Sequence, residues 1–393
     1  MCKKDFKILD GSYTYLDTAA SAQKPSVVVD RIVRFYETEY ANVHRGSCHL
    51  AQLATQAYEK VRGTLADFIG ASSDEIVFTK GATEAINLVA SSYAETLQPL
   101  DEVLVCIAEH HANFVPWQQA CLKSGAVFKT FDVTDAGEWD LDDFKSKLNE
   151  KTKVVAVSAF SNVLGVANPV KHICDLAHSV RAVVLVDAAQ SIAHQKTDVR
   201  DIGCEFLVFS GHKIYGPTGV GVLYGKKTFL QALKPYQFGG DMVDKVTIEN
   251  TTFADVPARL EAGTPPIANA VGLGAAIDYL NQVGLDKILK KEEMVFHLLI
   301  NGLNKIDGVK FLGDASLKKG LVAFNIEGIH ADDLNLILAK ENVCVRVGHH
   351  CAMPLHHRFA VNSSVRVSLG MYNDENDIAT FLRALHKAIG FFK

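Results

Sequence analysis

Between residues 75 and 225 the chain alternates short, nearly continuous apolar runs with stretches of helical periodicity. The runs fall at 75–79, 102–107, 126–131, 153–158, 182–187, 206–209 and 221–224. Several are rich in β-branched residues and show little polar alternation. Runs of that kind suit strands covered on both faces, as in a mostly parallel sheet flanked by helices. Helical patterns at 83–94, 115–124, 141–148 and 170–179 lie between them. The expected fold class is therefore α/β.

The pattern changes at 241–264, a long polar stretch without helical period that reads as an excursion from the main domain. Helices are expected at 269–282 and 285–306. Strand-like segments at 321–326, 343–347 and 364–368 then alternate with helical ones at 331–340 and 375–392. This predicts a smaller C-terminal α/β domain, residues 283–393, after a large domain over 15–282. The segment 1–14 is expected to pack with the small domain. A length of 393 residues agrees with two or three domains.

Composition excludes several classes. Charged residues make up 22% and hydrophobic ones 48%, which argues against disorder. The net charge is −5 and no Lys/Arg block forms a nucleic-acid stripe. No apolar run reaches the ~18 residues of a membrane span. The opening MCKKDFKILD has no apolar core of a signal peptide. The eight cysteines are scattered, with no C-x-x-C pair. They read as thiols of a reduced, cytoplasmic protein.

Six places could carry chemistry. Lys213, in FSGHKIYGP, follows an apolar run and is flanked by small residues, as suits a Schiff-base lysine; taken alone, this stretch reads first as a surface-loop lysine. Asp187 ends the run VLVD, where α/β sheets bind ligands. It would suit the ring nitrogen of a pyridoxal cofactor, or cap a helix. In TKGATEA a glycine turn opens a helix whose free N–H groups at Ala82 and Thr83 could hold a phosphate, or be capped in the usual way. His110, just past a strand, could stack on a ring or move a proton, or be a purely structural strand-end histidine. Cys351, in VRVGHHCAMP, reads as an accessible, reactive loop thiol near positive charge, or as an inert loop cysteine. The nearby histidines match no zinc spacing, so no metal site is expected. Arg366 sits on a strand where it could clamp a substrate carboxylate, or form an ordinary ion pair.

In order and context these stretches resemble the fold-type I pyridoxal-phosphate enzymes of the class V aminotransferase group. More narrowly, the chain is similar to group II cysteine desulfurases of the SufS/CsdA kind. The resemblance is carried by LDTAASAQKPS (16–26), NVHRG (42–46), GATEAINLVA (81–90), EHHANFVPWQ (109–118), SNVLGVANP (161–169), VDAAQS (186–191), FSGHKIYGPTGVG (209–221), RLEAGTP (259–265), VRVGHHCAMPL (345–355) and VRVSLGMYN (365–373). It spans nearly the whole chain. It implies a large domain with a mostly parallel seven-stranded sheet, a smaller C-terminal domain carrying the cysteine loop, and pyridoxal 5′-phosphate as cofactor.

The resemblance also implies roles. Lys213 would bind the cofactor covalently and then shuttle a proton. Asp187 would pair with the ring nitrogen, Gln190 with the phenolic oxygen, and His110 would stack on the ring. Ala82, Thr83, Ser210 and His212 would hold the phosphate, with Thr264 contributed by a partner subunit of a homodimer. Asn162, Arg346 and Arg366 would bind substrate. Cys351 would take the sulfur of L-cysteine as a persulfide. The short R-x-G-H-H-C-A loop is the group II form, which implies a sulfur-acceptor protein of the SufE or SufU type, a link to iron–sulfur cluster assembly, and L-selenocysteine as a second substrate. Rival readings are an enzyme that is chiefly a selenocysteine lyase, an epimerase or kynureninase of the same group, against which the HHCAMP cysteine argues, and a cofactor-less scaffold for sulfur-transfer proteins, against which Lys213, Asp187, His110 and Arg366 together argue. Cys48 stands where the family carries no cysteine, and the resemblance assigns nothing to His356 or His357.

Overall fold

The computed structural model describes residues 3–392; Met1 and Cys2 of the N-terminal segment and Lys393 at the end of the chain lie outside it. A short strand, β1 (Thr14–Tyr15), precedes two helices, Ser26–Thr38 and His49–Ile69. The main sheet follows: β2 (Ile76–Thr79), β3 (Glu102–Cys106), β4 (Val127–Phe131), β5 (Thr152–Ser158), β6 (Val183–Asp187), β7 (Phe206–Ser210) and β8 (Gly221–Gly225). Each lies within one residue, at either end, of an apolar run in the sequence. The spatial order is β2-β8-β7-β6-β5-β3-β4. Only β8 runs against its neighbours; all other pairings are parallel.

The apolar runs are continuous because both faces of this sheet are covered. Leu104, Val155, Val157, Val184, Val186, Leu207 and Phe209 point into one core. Their alternates Val103, Val105, Val154, Ala156, Leu185 and Val208 point into a second core on the opposite face. The helix Ala82–Ala94 packs on the second face and Val170–Ser179 on the first. The helix after β3 runs His111–Ser124, four residues longer at its start than the periodicity predicts. Pro116 lies inside it and mimics a boundary, but His110 Nδ1 caps the true start by accepting from Ala112 N at 3.0 Å.

The polar stretch after residue 240 holds an antiparallel hairpin, β9 (Val243–Val246) and β10 (Thr251–Phe253). The expected long helices are Ile267–Val283 and Leu285–Leu303, separated by Gly284 at φ +86°. A second sheet then forms from β11 (Val309–Phe311), β12 (Leu321–Ile326), β14 (Arg346–Gly348) and β15 (Ser364–Ser368), all antiparallel, in the order β11-β12-β15-β14. Its apolar residues, with those of Leu285–Leu303, Ala331–Lys340 and Glu375–Phe392, make a separate core. β13 (Val343–Cys344) pairs in parallel with β1. In the N-terminal segment Lys3 pairs with Asp377 at 2.6 Å, while Tyr279 donates to Asp5 at 2.7 Å. Among the described residues no helix is long and apolar enough to cross a membrane.

The topology places the site. From β3 the chain steps outward to β4, then returns to β5 on the other side of β3. Such a reversal opens a crevice beyond the carboxyl ends of the strands.

Candidate active site

Segments following β2, β3, β5, β6 and β7 converge at that crevice. A cleft of about 300 Å³ is lined by Ala82, Thr83, His110, Asn162, Asp187, Gln190, Ser210, His212, Lys213, Arg346, Cys351 and Arg366, with His350 beside them. Of the residues given a site role from the sequence, Thr264 alone is elsewhere. It is exposed and lines a separate small cleft with Thr79, Lys80 and Glu84.

At one end, the helix Ala82–Ala94 points its N-terminus at the cleft. Ala82 N donates to Ser210 Oγ at 2.9 Å. The next N–H groups have no intrahelical acceptor, as in any first turn. Gly221 of β8 lets this corner close: a Cβ there would sit 2.3 Å from Gly81 Cα. His212 lies alongside, with Nδ1 3.3 Å from Ser21 Oγ. Burial and the neighbouring Lys213 push its imidazole down to about 4.

In the middle, Asp187 is buried at the end of β6. One oxygen accepts from Ala189 N at 2.8 Å. No cation pairs with it within 4 Å among the described residues. Burial raises the pKa of its carboxyl, and the charge of Lys213 pulls the other way. The Lys213 amine is lowered, chiefly by loss of water, with Asp187 opposing. No group among the described residues accepts a hydrogen bond from it. His110 faces the same space, its ring pushed down to about 3 by burial first and by Lys213 second. Gln190 donates to Ala19 O at 2.8 Å.

At the far end stands Arg366, 3% exposed on β15. Nη1 donates to Asn162 O at 3.0 Å and Nη2 to Asp17 Oδ1 at 3.3 Å. Its Nε is buried without a partner among the described residues. Arg346 grips the same aspartate, with Nη2 2.9 Å from Oδ2. Asp17 therefore aligns both guanidiniums. The sequence assigns Asp17 no role, although it lies in the quoted LDTAA stretch.

Cys351 is exposed at the cleft mouth. It and His350 both adopt left-handed backbone, at φ +55° and +51°. For residues with a Cβ that costs about 1–2 kcal/mol each, and strain of this kind persists where surroundings hold it. Asn162 Nδ2 donates to the His350 carbonyl at 2.7 Å, and His111 N donates to the Cys351 carbonyl at 2.7 Å. Among the described residues no three His, Cys, Asp or Glu side chains converge as a metal-ligand set.

Comparison with known proteins agrees with this geometry. The model of the family described as aminotransferase class-V matches residues 14–381. The chain belongs to the class V aminotransferase family. It is 44% identical to a probable cysteine desulfurase of Halalkalibacterium halodurans, over 99% of this chain and 98% of the relative. It is also 44% identical to a cysteine desulfurase of Dickeya dadantii, over 98% and 95% of the two chains. Among solved structures this family member is similar to the cysteine desulfurase CsdA of Escherichia coli, with TM-score 0.94, 35% identity, and 100% and 98% coverage. A cysteine desulfurase of Thermococcus onnurineus NA1 superposes with TM-score 0.95 at 36% identity, covering 99% and 97% of the two chains.

Proposed function

We propose that this class V family member is a pyridoxal-phosphate-dependent cysteine desulfurase that converts L-cysteine to L-alanine and keeps the sulfur as a persulfide on Cys351. The observation that carries the reading is the opening of Lys213, Asp187, Arg366 and Cys351 onto one cleft.

The residues present fit the cofactor. Asp187 is a buried carboxylate without an ion pair among the described residues, and it suits a protonated ring nitrogen. The lowered pKa of Lys213 suits an amine that bonds to an aldehyde. The first turn at Ala82 and Thr83, with Ser210 and His212, suits a phosphate. His110 would lie on the ring, and Gln190 would face its phenolic oxygen. Pyridoxal phosphate, when bound, supplies the electron sink for charge left at the substrate Cα.

The protein's own groups do the rest. Arg366 takes the substrate carboxylate in bidentate fashion, with Asn162 beside it and Arg346 at the mouth. Lys213 Nζ removes the Cα proton and later returns a proton to the product. Cys351 Sγ attacks the substrate sulfur, the substrate's C–S bond breaks, and a proton replaces sulfur on the departing alanine. Cysteine and one thiol thus give alanine and one persulfide, with atoms balanced.

The finer parts of the proposal follow from the same site. Cys351 at the mouth lets an acceptor protein of the SufE or SufU type collect the sulfur for iron–sulfur cluster assembly. Thr264, outside the cleft of its own chain, would reach the phosphate of a partner in a homodimer. L-selenocysteine would serve as a second substrate. The seven described cysteines are all free, which supports a reduced, cytoplasmic setting. The test is Lys213→Ala. It should abolish alanine release from L-cysteine and the visible absorbance of the lysine-linked cofactor. Undiminished turnover by that variant would overturn the reading.

A further inference from the structure

His356 has no part in the proposed chemistry, yet it is wholly buried behind Cys351. It lies on the helix Met353–Arg358, directly after the cysteine loop. Its Nδ1 is 3.0 Å from the Ala352 carbonyl oxygen, and its Nε2 is 3.0 Å from Ser364 Oγ. The same Ser364 Oγ is 3.0 Å from Nε2 of His350, the residue before Cys351.

Proton positions follow from what each group can do. A carbonyl only accepts, so His356 Nδ1 carries the hydrogen. The Nε2 of that neutral ring is bare, so the Ser364 hydroxyl donates to it. A hydroxyl has one hydrogen, so toward His350 it accepts. His350 Nε2 therefore carries a hydrogen, which also faces the Ser364 carbonyl oxygen at 3.2 Å. His350 Nδ1 is left bare, and it is buried with no partner among the described residues.

We propose that His356 and Ser364 are positioning residues, which lock His350 as its Nε2–H tautomer and so hold Cys351 in the left-handed turn that aims its sulfur into the cleft. The proposal rests on the reading of Cys351 as the sulfur acceptor. Asn162 and His111 hold only carbonyls of this turn. The Ser364 chain holds a side chain, and it ties the turn to β15, which carries Arg366. The two rings lie tilted against each other at 55°, with His350 and His356 centroids 5.6 Å apart. Protonation would break the chain, because a charged His350 has a buried N–H and no acceptor for it. The surroundings oppose that charge. Arg366 and Arg346 face His350, and His349 and His357 face His356. Burial pushes His350 down to about 2, and His356 in the same direction.

The test is iodoacetamide labelling of Cys351 in the cofactor-loaded protein, followed by the mass of its peptide, beside steady-state alanine release. Ser364→Ala and His356→Phe should each speed labelling about tenfold, the change that a lost hydrogen bond of ~1.4 kcal/mol produces. Each should lower kcat about as much and leave KM and the bound-cofactor absorbance within about twofold. Ser364→Thr keeps the hydroxyl and should behave as wild type. The double variant should be no worse than either single one, since both cut one chain. Unchanged labelling in Ser364→Ala, or effects that multiply in the double variant, would overturn the proposal. If His356→Phe does not fold, the Ser364 pair decides alone. Turnover by Cys351→Ala would sink the sulfur-acceptor reading instead, and labelling would still report on the turn.

Discussion

Replacing Asp17 with Asn removes one negative charge from between two guanidiniums and nearly preserves shape. The two pairs differ sharply in setting. Arg366, 3.3 Å away, has a side chain only 3% exposed; Arg346, 2.9 Å away, has one 48% exposed. Breaking a buried pair by removing one partner costs about 3–5 kcal/mol. Asn keeps an acceptor oxygen, and Arg366 keeps the Asn162 carbonyl. The lower end, about 3 kcal/mol, is therefore expected for Asp17→Asn. The exposed Arg346 pair contributes only ~0–1 kcal/mol, so Arg346→Ala should lose little. Urea unfolding, followed by fluorescence of the buried Trp117 and Trp139, measures both. Adding Arg366→Met to Asp17→Asn should restore about 1–2 kcal/mol, because the uncompensated buried charge is gone. Equal losses for Asp17→Asn and Arg346→Ala would refute the reasoning. So would a double variant as unstable as the sum of its parts.

Stability of the cofactor-free protein should fall as pH drops from about 6.5 to 4.5. In that window the unfolded chain protonates His110, His212 and His350, while the native rings, with values of about 3, 4 and 2, stay neutral. Burial raises Glu109 to about 8 and Asp187 in the same direction, and Glu292 raises His194 against its burial, so these three oppose as pH falls; they are outnumbered by five lowered histidines, because His111 and His356 are lowered by burial as well. Urea midpoints at the two pH values check this, and a higher midpoint at the lower pH would count against it. Ser210→Ala removes the hydroxyl that accepts from Ala82 N. It should weaken cofactor affinity by about 1–2 kcal/mol, roughly five- to thirtyfold, in an equilibrium titration of the apoprotein with pyridoxal phosphate. Unchanged affinity would remove Ser210 from the phosphate end.

The main sheet is legible in the sequence because strands buried on both faces leave continuous apolar runs. Its reversal point is not, since strand order comes from packing across the whole chain. The helix beginning at His111 is masked by Pro116, whose missing N–H reads as a break. The hairpin Val243–Phe253 is masked because its exposed strands carry residues such as Asp244 and Lys245 and bury little. Lys213, Asp187 and His110 are legible because each ends or follows an apolar strand. Asp17 is not, since its partners Arg346 and Arg366 lie 329 and 349 residues away in the chain. The chain through His356 is hidden for the same kind of reason. Only folding brings β15 against the cysteine loop, so that Ser364 can join two histidine rings.

Exposure of the cofactor-loaded protein to L-cysteine, with no acceptor, followed by non-reducing peptide mass mapping, tests the central claim most directly. One added sulfur atom should appear on the Cys351 peptide, together with stoichiometric alanine, and neither should appear in Lys213→Ala. Alanine formed with no sulfur on Cys351, or with the sulfur on Cys48 or another thiol, would contradict it.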